Sequence, residues 1–228
     1  MPFRKRFAPL SRLRHASIAT IHDAGYTEDG QHYFVMELVD GRPIVEYCEQ
    51  QGLSLRDRLA LFARVAKAVK YAHQRGVIHR DLKPANILVD GQGDPHIVDF
   101  GLVHFTDPEL NGSQTISAGV SPIGTLPYMS PEQARGDLDD LDVRTDVYSL
   151  GVLLYELTTG KYPYDVTGGV ADILHRIATA EPIRPAAVNG RIPDEVAAIT
   201  LKALAKEKKP PQQNSWVSCG SGRRPRVW

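Results

Sequence analysis

Apolar residues recur at helical spacing between Ser54 and Gly76, and this pattern predicts one long amphipathic helix. Ser54 is a typical N-cap residue, Asp57 stands three positions later, and Gly76 follows the last turn as a stop signal. The expected buried stripe consists of Leu55, Leu59, Phe62, Val65, Val69 and Ala72. In a second segment, residues 144–160, the stretch 152–157 is apolar nearly all round, which indicates a helix at the centre of a packed lobe.

The segments around these helices predict a β-hairpin and three shorter helices. Residues 18–26 and 32–39 are typical of strands, and the Asp29-Gly30 pair between them suits a tight turn. Gly41 is expected to end the second strand. The shorter helices are predicted over residues 44–51, 170–180 and 194–206, the last introduced by Pro193.

The composition is that of an ordinary folded protein. The chain has 228 residues, 42% of them hydrophobic, which suffices for one domain or for part of a larger one. Basic and acidic residues balance at 27 each, which argues against nucleic acid as the main partner. Two distant cysteines fit a reducing cytoplasm. No apolar run approaches about 20 residues, so no membrane-spanning segment is predicted.

The densest group of reactive side chains is His79-Arg80-Asp81-Leu82-Lys83-Pro84-Ala85-Asn86, which follows a short, strand-like apolar pair. Asp99-Phe100-Gly101 begins thirteen residues after Asn86 and also follows an apolar pair. Residues 87–91, between the two motifs, predict a short strand that closes in a turn. Because both acidic motifs stand at the ends of neighbouring strands, we expect them to share one substrate.

These side chains suit phosphoryl transfer, a reaction that depends mainly on positioning and charge neutralisation. Asp81 can accept the proton of an attacking hydroxyl group. Lys83, two residues later on the same side of an extended loop, can neutralise the transferred phosphoryl oxygens. Asn86 and Asp99 offer hard oxygen ligands, which suit Mg²⁺ better than softer metals.

The two motifs resemble the catalytic and metal-binding loops of eukaryotic-type protein kinases. Residues 124–134, Gly-Thr-Leu-Pro-Tyr-Met-Ser-Pro-Glu-Gln-Ala, are similar to the end of the kinase activation segment. Residues 146–151, Asp-Val-Tyr-Ser-Leu-Gly, are a fourth matching motif. With its Ser-Pro-Glu-Gln-Ala run and Lys83, the chain is most similar to bacterial serine/threonine kinases. The resemblance covers roughly residues 10–206.

The resemblance implies an α+β protein-kinase fold, with a remnant of the small β lobe over residues 1–40 and a mainly helical large lobe over residues 41–207. It implies transfer of the γ-phosphoryl group of ATP, with Mg²⁺, to a serine or threonine hydroxyl of a protein substrate. It also suggests dimer formation for autophosphorylation. A degenerate kinase that acts as a nucleotide- or partner-binding module stays open as an alternative, and so does a small-molecule phosphotransferase.

The resemblance further assigns roles to single residues at the reaction site. Thr125 would hydrogen-bond Asp81 and Lys83 and so shape the acceptor site. Lys83, Asn86 and Asp99 would hold the phosphates and the metal ion. In the family the hairpin ends at the hinge that holds adenine. The rest of the nucleotide would therefore contact residues at the end of the predicted hairpin and in the strand after the loop, namely Met36 as gatekeeper, Glu37, Val39 and Leu88.

Other residues are expected to support or regulate this site, and the structural ones are His79, Phe100, Glu132 and Asp146. A buried carboxylate needs partners, and the resemblance implies that Asp146 accepts hydrogen bonds from backbone amides of the 79–86 loop. His73 is expected to be a hydrogen-bonded packing histidine. Arg80 would pair with a phosphate on Thr115 or Ser117, in the polar loop 102–123, and so order that loop.

The chain departs from the family pattern at both ends. It contains no Gly-rich phosphate loop and no Val-Ala-Ile-Lys-like strand, and Arg6 stands near the position of the helical Glu that pairs with that lysine. Leu10, Leu13 and His15 fit the end of that helix. We therefore expect an N-terminally truncated small lobe and poor phosphoryl transfer by these residues alone. Residues 208–228 are expected to be a disordered or aberrant tail. In the family an Arg after this point pairs with the Glu at the position of Glu132, and the tail offers no credible match to that Arg.

Overall fold

A computed structural model describes residues 10–100 and 124–206 of the chain. The strands are β1 (Ile21–Tyr26), β2 (His32–Met36), β3 (Gly41–Pro43), β4 (Ile87–Asp90) and β5 (Pro95–Ile97). The helices are α1 (Ile44–Gln50), α2 (Leu55–His73), α3 (Pro131–Arg135), α4 (Val143–Thr159), α5 (Val170–Thr179), α6 (Pro185–Val188) and α7 (Asp194–Ala203). Small antiparallel sheets followed by a mainly helical region confirm the predicted α+β class.

The strands of the described residues form two sheets, β1-β2 and β3-β4-β5. The predicted hairpin is confirmed: the amide of Thr27 donates to the carbonyl oxygen of Gln31 at 2.8 Å, and Gly30 takes a φ of 84° in the turn. Both strands are shorter than predicted. Ile18 forms an isolated parallel bridge with Ile97 instead, which ties the start of the hairpin to the second sheet.

The prediction that Gly41 ends a strand is wrong. Gly41 begins β3, which pairs with β4. A Cβ atom on Gly41 would lie 2.8 Å from the carbonyl oxygen of Val89, so any side chain would push the two strands apart. The glycine is needed because two backbones approach each other closely. A glycine in the sequence does not show by itself whether it ends a strand or permits such an approach.

The long helix α2 begins and ends where its sequence signals predict. The hydroxyl of Ser54 accepts a hydrogen bond of 3.3 Å from the amide of Asp57, and Gly76 has a φ of 73° beyond the last turn. Its buried stripe is Leu61, Val65, Ala68, Val69 and Ala72. Leu55, Leu59 and Phe62 are only partly buried, so the predicted stripe is wrong in the first two turns. The helix contacts α4 and β5, and its buried side chains share one hydrophobic cluster with Ile97 of β5 and with Leu150, Leu153 and Leu157 of α4.

Helix α4 lies between the two hydrophobic clusters of the described residues, and twelve of its seventeen residues are buried. Leu150, Leu153 and Leu157 join the cluster around α2 and the three-stranded sheet. Val152 and Tyr155 join a second cluster with α5 and the end of α7. The prediction of a helix at the centre of a packed lobe is confirmed.

The remaining predicted helices are present with shorter bounds. Helix α5 ends at Thr179, and α7 ends at Ala203, with Pro193 in the N-cap position. The helix end predicted near Leu10 and Leu13 is a single 3₁₀ turn in the described residues. None of the helices in residues 10–100 and 124–206 combines the length and the hydrophobicity needed to cross a lipid bilayer.

Candidate active site

The pairing of β4 with β5 brings the two acidic motifs to one end of the three-stranded sheet. Ile87 pairs with Ile97, and the amide of Val98 donates to the carbonyl oxygen of Asn86 at 3.0 Å. In an antiparallel pair the start of one strand lies opposite the end of its neighbour. Asn86, just before β4, therefore stands beside the point where the chain leaves β5 toward Asp99. Residues 77–78, expected to be strand-like, lie outside every described strand.

Asp81, Lys83 and Thr125 form one hydrogen-bonded group. The Nζ atom of Lys83 lies 2.8 Å from the carboxylate Oδ2 of Asp81 and donates to the Oγ1 of Thr125, also at 2.8 Å. Thr125, which is 42 residues from Lys83 in sequence, thus meets Asp81 through the lysine. The side chains of Asp81 and Lys83 remain 25% and 21% exposed, so a substrate can reach them.

Asn86 orients Asp81 and leaves an oxygen for another ligand. Its Nδ2 atom donates to the carbonyl oxygen of Asp81 at 2.8 Å and to Oδ2 of the same residue at 3.1 Å. The amide nitrogen is therefore committed, and the Oδ1 oxygen is the end of the side chain available to a cation. Asp99 has a φ of 59°, in the left-handed region that is unusual for residues other than glycine. Such strained positions cluster at functional sites.

Asp146 holds the 79–86 loop from beneath. Its buried carboxylate accepts hydrogen bonds from the backbone amides of His79 and Arg80, each at 2.8 Å. A third contact of 2.6 Å joins it to the Nε2 atom of His73, which lies at the end of α2. Asp146 stands in the first turn of α4, so the central helix fixes the position of the loop.

The backbone of Arg80 is held on both sides. Arg80 has a φ of 69°, a conformation that costs on the order of 1 kcal/mol or more for a residue with a Cβ atom. Its amide donates to Asp146, and its carbonyl oxygen accepts a hydrogen bond of 2.7 Å from the Nε2 atom of Gln133. The sequence did not predict the contact with Gln133. Ser130 and Gln133 have the spacing of a capping box, but that pattern indicates only where α3 begins and not a contact with Arg80.

His79 is fully buried beneath the acidic motifs. Its Nε2 atom lies 3.0 Å from the carbonyl oxygen of Val98, and its Nδ1 atom accepts from the amide of Asp81 at 3.3 Å. These partners require a neutral ring with the proton on Nε2. Burial lowers the pKa of His79, and this effect exceeds the opposing influence of the nearby Asp146 charge. The ring of Phe100 packs against it at 4.7 Å between centroids.

Glu132 has a partner that the sequence did not predict. The hydroxyl of Thr145 donates to its Oε1 atom at 2.7 Å, and Glu132 is 7% exposed. The expected lack of an Arg partner concerns the tail, which lies outside the described residues, so it stays a prediction. Thr145 precedes Asp146 on α4, so one helical turn supports both the 79–86 loop and the start of α3.

The residues predicted to contact a nucleotide lie on separate elements. Met36 ends β2 and lines a small apolar cavity together with Asp99 and Phe100. Glu37 is bonded to residue 20, with its amide donating at 2.8 Å and its carboxylate accepting at 3.0 Å, and its contact with a nucleotide stays a prediction. Val39 lies between β2 and β3, and the half-buried Leu88 lies in β4.

The model of the protein kinase domain family matches residues 4–210, which is most of the chain. The chain belongs to the protein kinase family. It is 37% identical over 206 residues to the serine/threonine-protein kinase PrkC of Bacillus subtilis, covering 90% of this chain and 30% of the relative. It is 35% identical over 208 residues to the serine/threonine-protein kinase PknB of Mycobacterium leprae and 36% identical to PknB of Mycobacterium tuberculosis. Each of these two matches covers 90% of this chain and 32% of the relative. The kinase domain thus spans about a third of the length of the curated relatives it matches.

Membership of the protein kinase family implies ATP and a divalent metal ion. The donor set beside the start of β4 and the end of β5 fits such an ion, because the amide oxygen of Asn86 has no hydrogen-bond partner among the described residues and Asp99 supplies a carboxylate. Within residues 10–100 and 124–206, no cluster of three or more His, Cys, Asp or Glu side chains is suited to hold a metal ion. Phosphate and water oxygens would therefore complete the coordination shell.

Several predicted features of the kinase domain lie outside the described residues. They are Gly101, the whole polar loop with its proposed phosphorylation sites Thr115 and Ser117, Arg6, and the tail 208–228. The pairing of Arg80 with a loop phosphate therefore stays a prediction.

Proposed function

We propose that this chain is the catalytic part of a serine/threonine protein kinase, which transfers the γ-phosphoryl group of ATP to a protein hydroxyl. The observation that carries the proposal is the contact of Lys83 with both Asp81 and Thr125. It joins a proton acceptor, a cation and the segment expected to hold the acceptor hydroxyl in one partly exposed group. Family membership and the three named relatives support the same reaction.

Asp81 acts as the base. The acceptor hydroxyl gives its proton to the carboxylate as its oxygen forms a bond to the γ-phosphorus, and the bond from that phosphorus to the β–γ bridging oxygen breaks to release ADP. Asn86 and Lys83 both contact the Oδ2 oxygen, so Oδ1 is the atom that receives the proton. Lys83 neutralises negative charge on the transferred phosphoryl group. In the uncatalysed reaction in water no cation is held in that position.

We assign the divalent ion as Mg²⁺, held by Asn86 and Asp99. Mg²⁺ prefers oxygen ligands and usually keeps several waters and phosphate oxygens, which suits a site with two protein ligands. When bound, the ion supplies neutralisation of phosphate charge. Met36, Glu37, Val39 and Leu88 are the residues proposed to contact the rest of the nucleotide.

We also propose a setting for this activity. ATP and a protein substrate are its partners, and the cytoplasm, which supplies ATP, is its location. Phosphorylation between two copies at Thr115 or Ser117 would give Arg80 a phosphate to bind. Nucleic acid is not expected as a partner, because the charges of the chain balance.

The test is transfer of label from γ-³²P-ATP, in the presence of Mg²⁺, to a generic basic protein and to a panel of small hydroxyl compounds. It is run with this chain and with the same chain extended upstream by a Gly-rich loop and a lysine strand, since transfer by these residues alone is expected to be poor. We expect label only on serine and threonine of protein, and a fall in kcat of about 10²–10⁴-fold for Asp81→Asn. Asp139→Asn, an exposed change of the same kind, should leave the rate unchanged. Label on the small compounds, or an Asp81→Asn rate above about a tenth of the unsubstituted rate, would contradict the proposal.

A further inference from the structure

Gln133 uses both ends of its side chain. Its Oε1 atom accepts a hydrogen bond of 2.9 Å from the amide of Ser130 and so completes the capping box at the start of α3. Its Nε2 atom donates a hydrogen bond of 2.7 Å to the carbonyl oxygen of Arg80, 53 residues earlier in the chain. One partly buried amide therefore links the start of α3 to the 79–86 loop.

The bond to Arg80 matters because of where that carbonyl lies. It belongs to the peptide group that joins Arg80 to Asp81, so its direction sets the direction in which the chain enters Asp81. Arg80 has a φ of 69°, and a strained conformation persists only when its surroundings hold it. Asp146 fixes the amide on one side of Arg80, and Gln133 fixes the carbonyl on the other.

We propose that Gln133 is a positioning residue for Asp81. This inference rests on the proposed function and adds to it a link between the acceptor side of the site and the base. Thr125 and Gln133 lie on the same stretch of chain, and the two contact the 79–86 loop at Lys83 and Arg80. The stretch 125–133 therefore forms hydrogen bonds with the loop on both sides of Asp81.

The chemistry of glutamine separates this role from simple helix capping. An amide can accept from the Ser130 amide and donate to the Arg80 carbonyl at the same time. A glutamate at this position caps a helix equally well. It cannot donate when ionised, however, and it would set a negative oxygen against the carbonyl oxygen of Arg80. A side chain that only capped α3 would tolerate Gln133→Glu.

The experiment compares Gln133→Glu with two control variants in the full chain. Ser130→Ala removes the hydroxyl that caps α3 but leaves the bond from Gln133 to Arg80. Gln31→Glu adds a carboxylate at an exposed position in the hairpin turn. The readouts are kcat and the KM for ATP with a basic protein substrate, thermal unfolding, and backbone hydrogen exchange over residues 79–86.

We expect Gln133→Glu to lower kcat by about tenfold or more, since a small misplacement of a reacting group can cost up to about 10²-fold. The KM for ATP should change less than about twofold, because Asn86 and Asp99 are untouched, and exchange over residues 79–86 should accelerate. Ser130→Ala should lower the unfolding temperature with a smaller effect on kcat. Gln31→Glu should match the unsubstituted chain.

The inference is overturned if Gln133→Glu keeps kcat within about twofold and leaves exchange unchanged, or if Ser130→Ala lowers kcat equally. If Gln133→Glu does not fold, the same comparison is made with Gln133→Ala, which adds no charge. If neither this chain nor the same chain extended upstream with a Gly-rich loop and a lysine strand transfers phosphate, the proposed function fails, and the exchange data alone still decide whether Gln133 holds the loop.

Discussion

The carboxylate of Asp146 accepts a hydrogen bond of 2.8 Å from the amide of Arg80, a residue held at a φ of 69°. Asp146 is fully buried, and it also receives the amide of His79 and the ring of His73. Three donors thus converge on one carboxylate, which satisfies the rule that a buried charge needs several partners. Arg80 can keep its strained backbone because the central helix holds it there.

We predict that Asp146→Asn destabilises the fold by about 3 kcal/mol, because one oxygen becomes an NH₂ group that faces N–H donors and leaves them unpaired. Urea unfolding followed by circular dichroism measures this loss of unfolding free energy. Asp139→Asn, at an exposed position, should change it by less than about 0.5 kcal/mol. A loss below about 1 kcal/mol for Asp146→Asn would show that the loop does not depend on this carboxylate.

We predict that Asp99→Asn weakens binding of Mg·ATP by more than about tenfold, since a charged ligand of the ion is replaced by a neutral one. Isothermal titration calorimetry with and without Mg²⁺ measures the effect. Asn86→Ala should weaken binding as well, and it also frees Asp81 from its contact with the Asn86 amide. Asp94→Asn in the β4–β5 turn is the control. Unchanged affinity in both variants would place the metal site elsewhere.

Local signals in the sequence predict those parts of the fold that depend on neighbouring residues. The limits of α2 follow from Ser54 and Gly76, and the hairpin follows from Asp29-Gly30. The composition of the 79–86 loop and of Asp99-Phe100 points to the candidate site, because so many acidic and amide side chains in a short segment are typical of a functional loop and not of a packed core. These predictions need no knowledge of which elements meet in space.

Contacts between distant segments could not be predicted. Gln133 bonds to Arg80 across 53 residues, and Thr145 supplies the partner of Glu132. The buried side of α2 depends on where α4 and β5 pack, so periodicity alone misplaced its first two turns. Gly41 shows the same limit, since its role depends on the approach of Val89.

We predict that the ring of His79 stays neutral below the usual histidine pKa of 6.5, because burial lowers the pKa of this group in the folded state. The unfolded chain then binds a proton that the folded chain does not as the pH falls below 6.5, so this group makes the folded state less stable at lower pH. In ¹³C-labelled protein, the ring carbon resonances of His79 should not shift between pH 7.5 and 6.5, whether or not those of the other histidines shift. A midpoint at 6.5 or above would contradict a buried neutral ring.

Glu156 on α4 accepts a hydrogen bond from the hydroxyl of Tyr128. Burial raises the pKa of Glu156 above its usual 4.5, and the bond from Tyr128 partly offsets this effect. The folded chain therefore holds this proton to higher pH than the unfolded chain, so its contribution to stability is present below 4.5 and declines as the pH rises through the folded pKa.

Glu156→Gln keeps an acceptor for Tyr128 and removes the titration. We expect the unfolding free energy of Glu156→Gln, relative to that of the unsubstituted chain, to increase as the pH rises from 4.5 toward neutrality. Tyr128→Phe should shift the unsubstituted profile to higher pH, because it removes the bond that lowers the Glu156 pKa. Glu195→Gln on α7, an exposed change, should give a difference that is flat with pH. Urea unfolding at several pH values measures all four chains, and a flat difference for Glu156→Gln would mean that this carboxyl group titrates alike in both states.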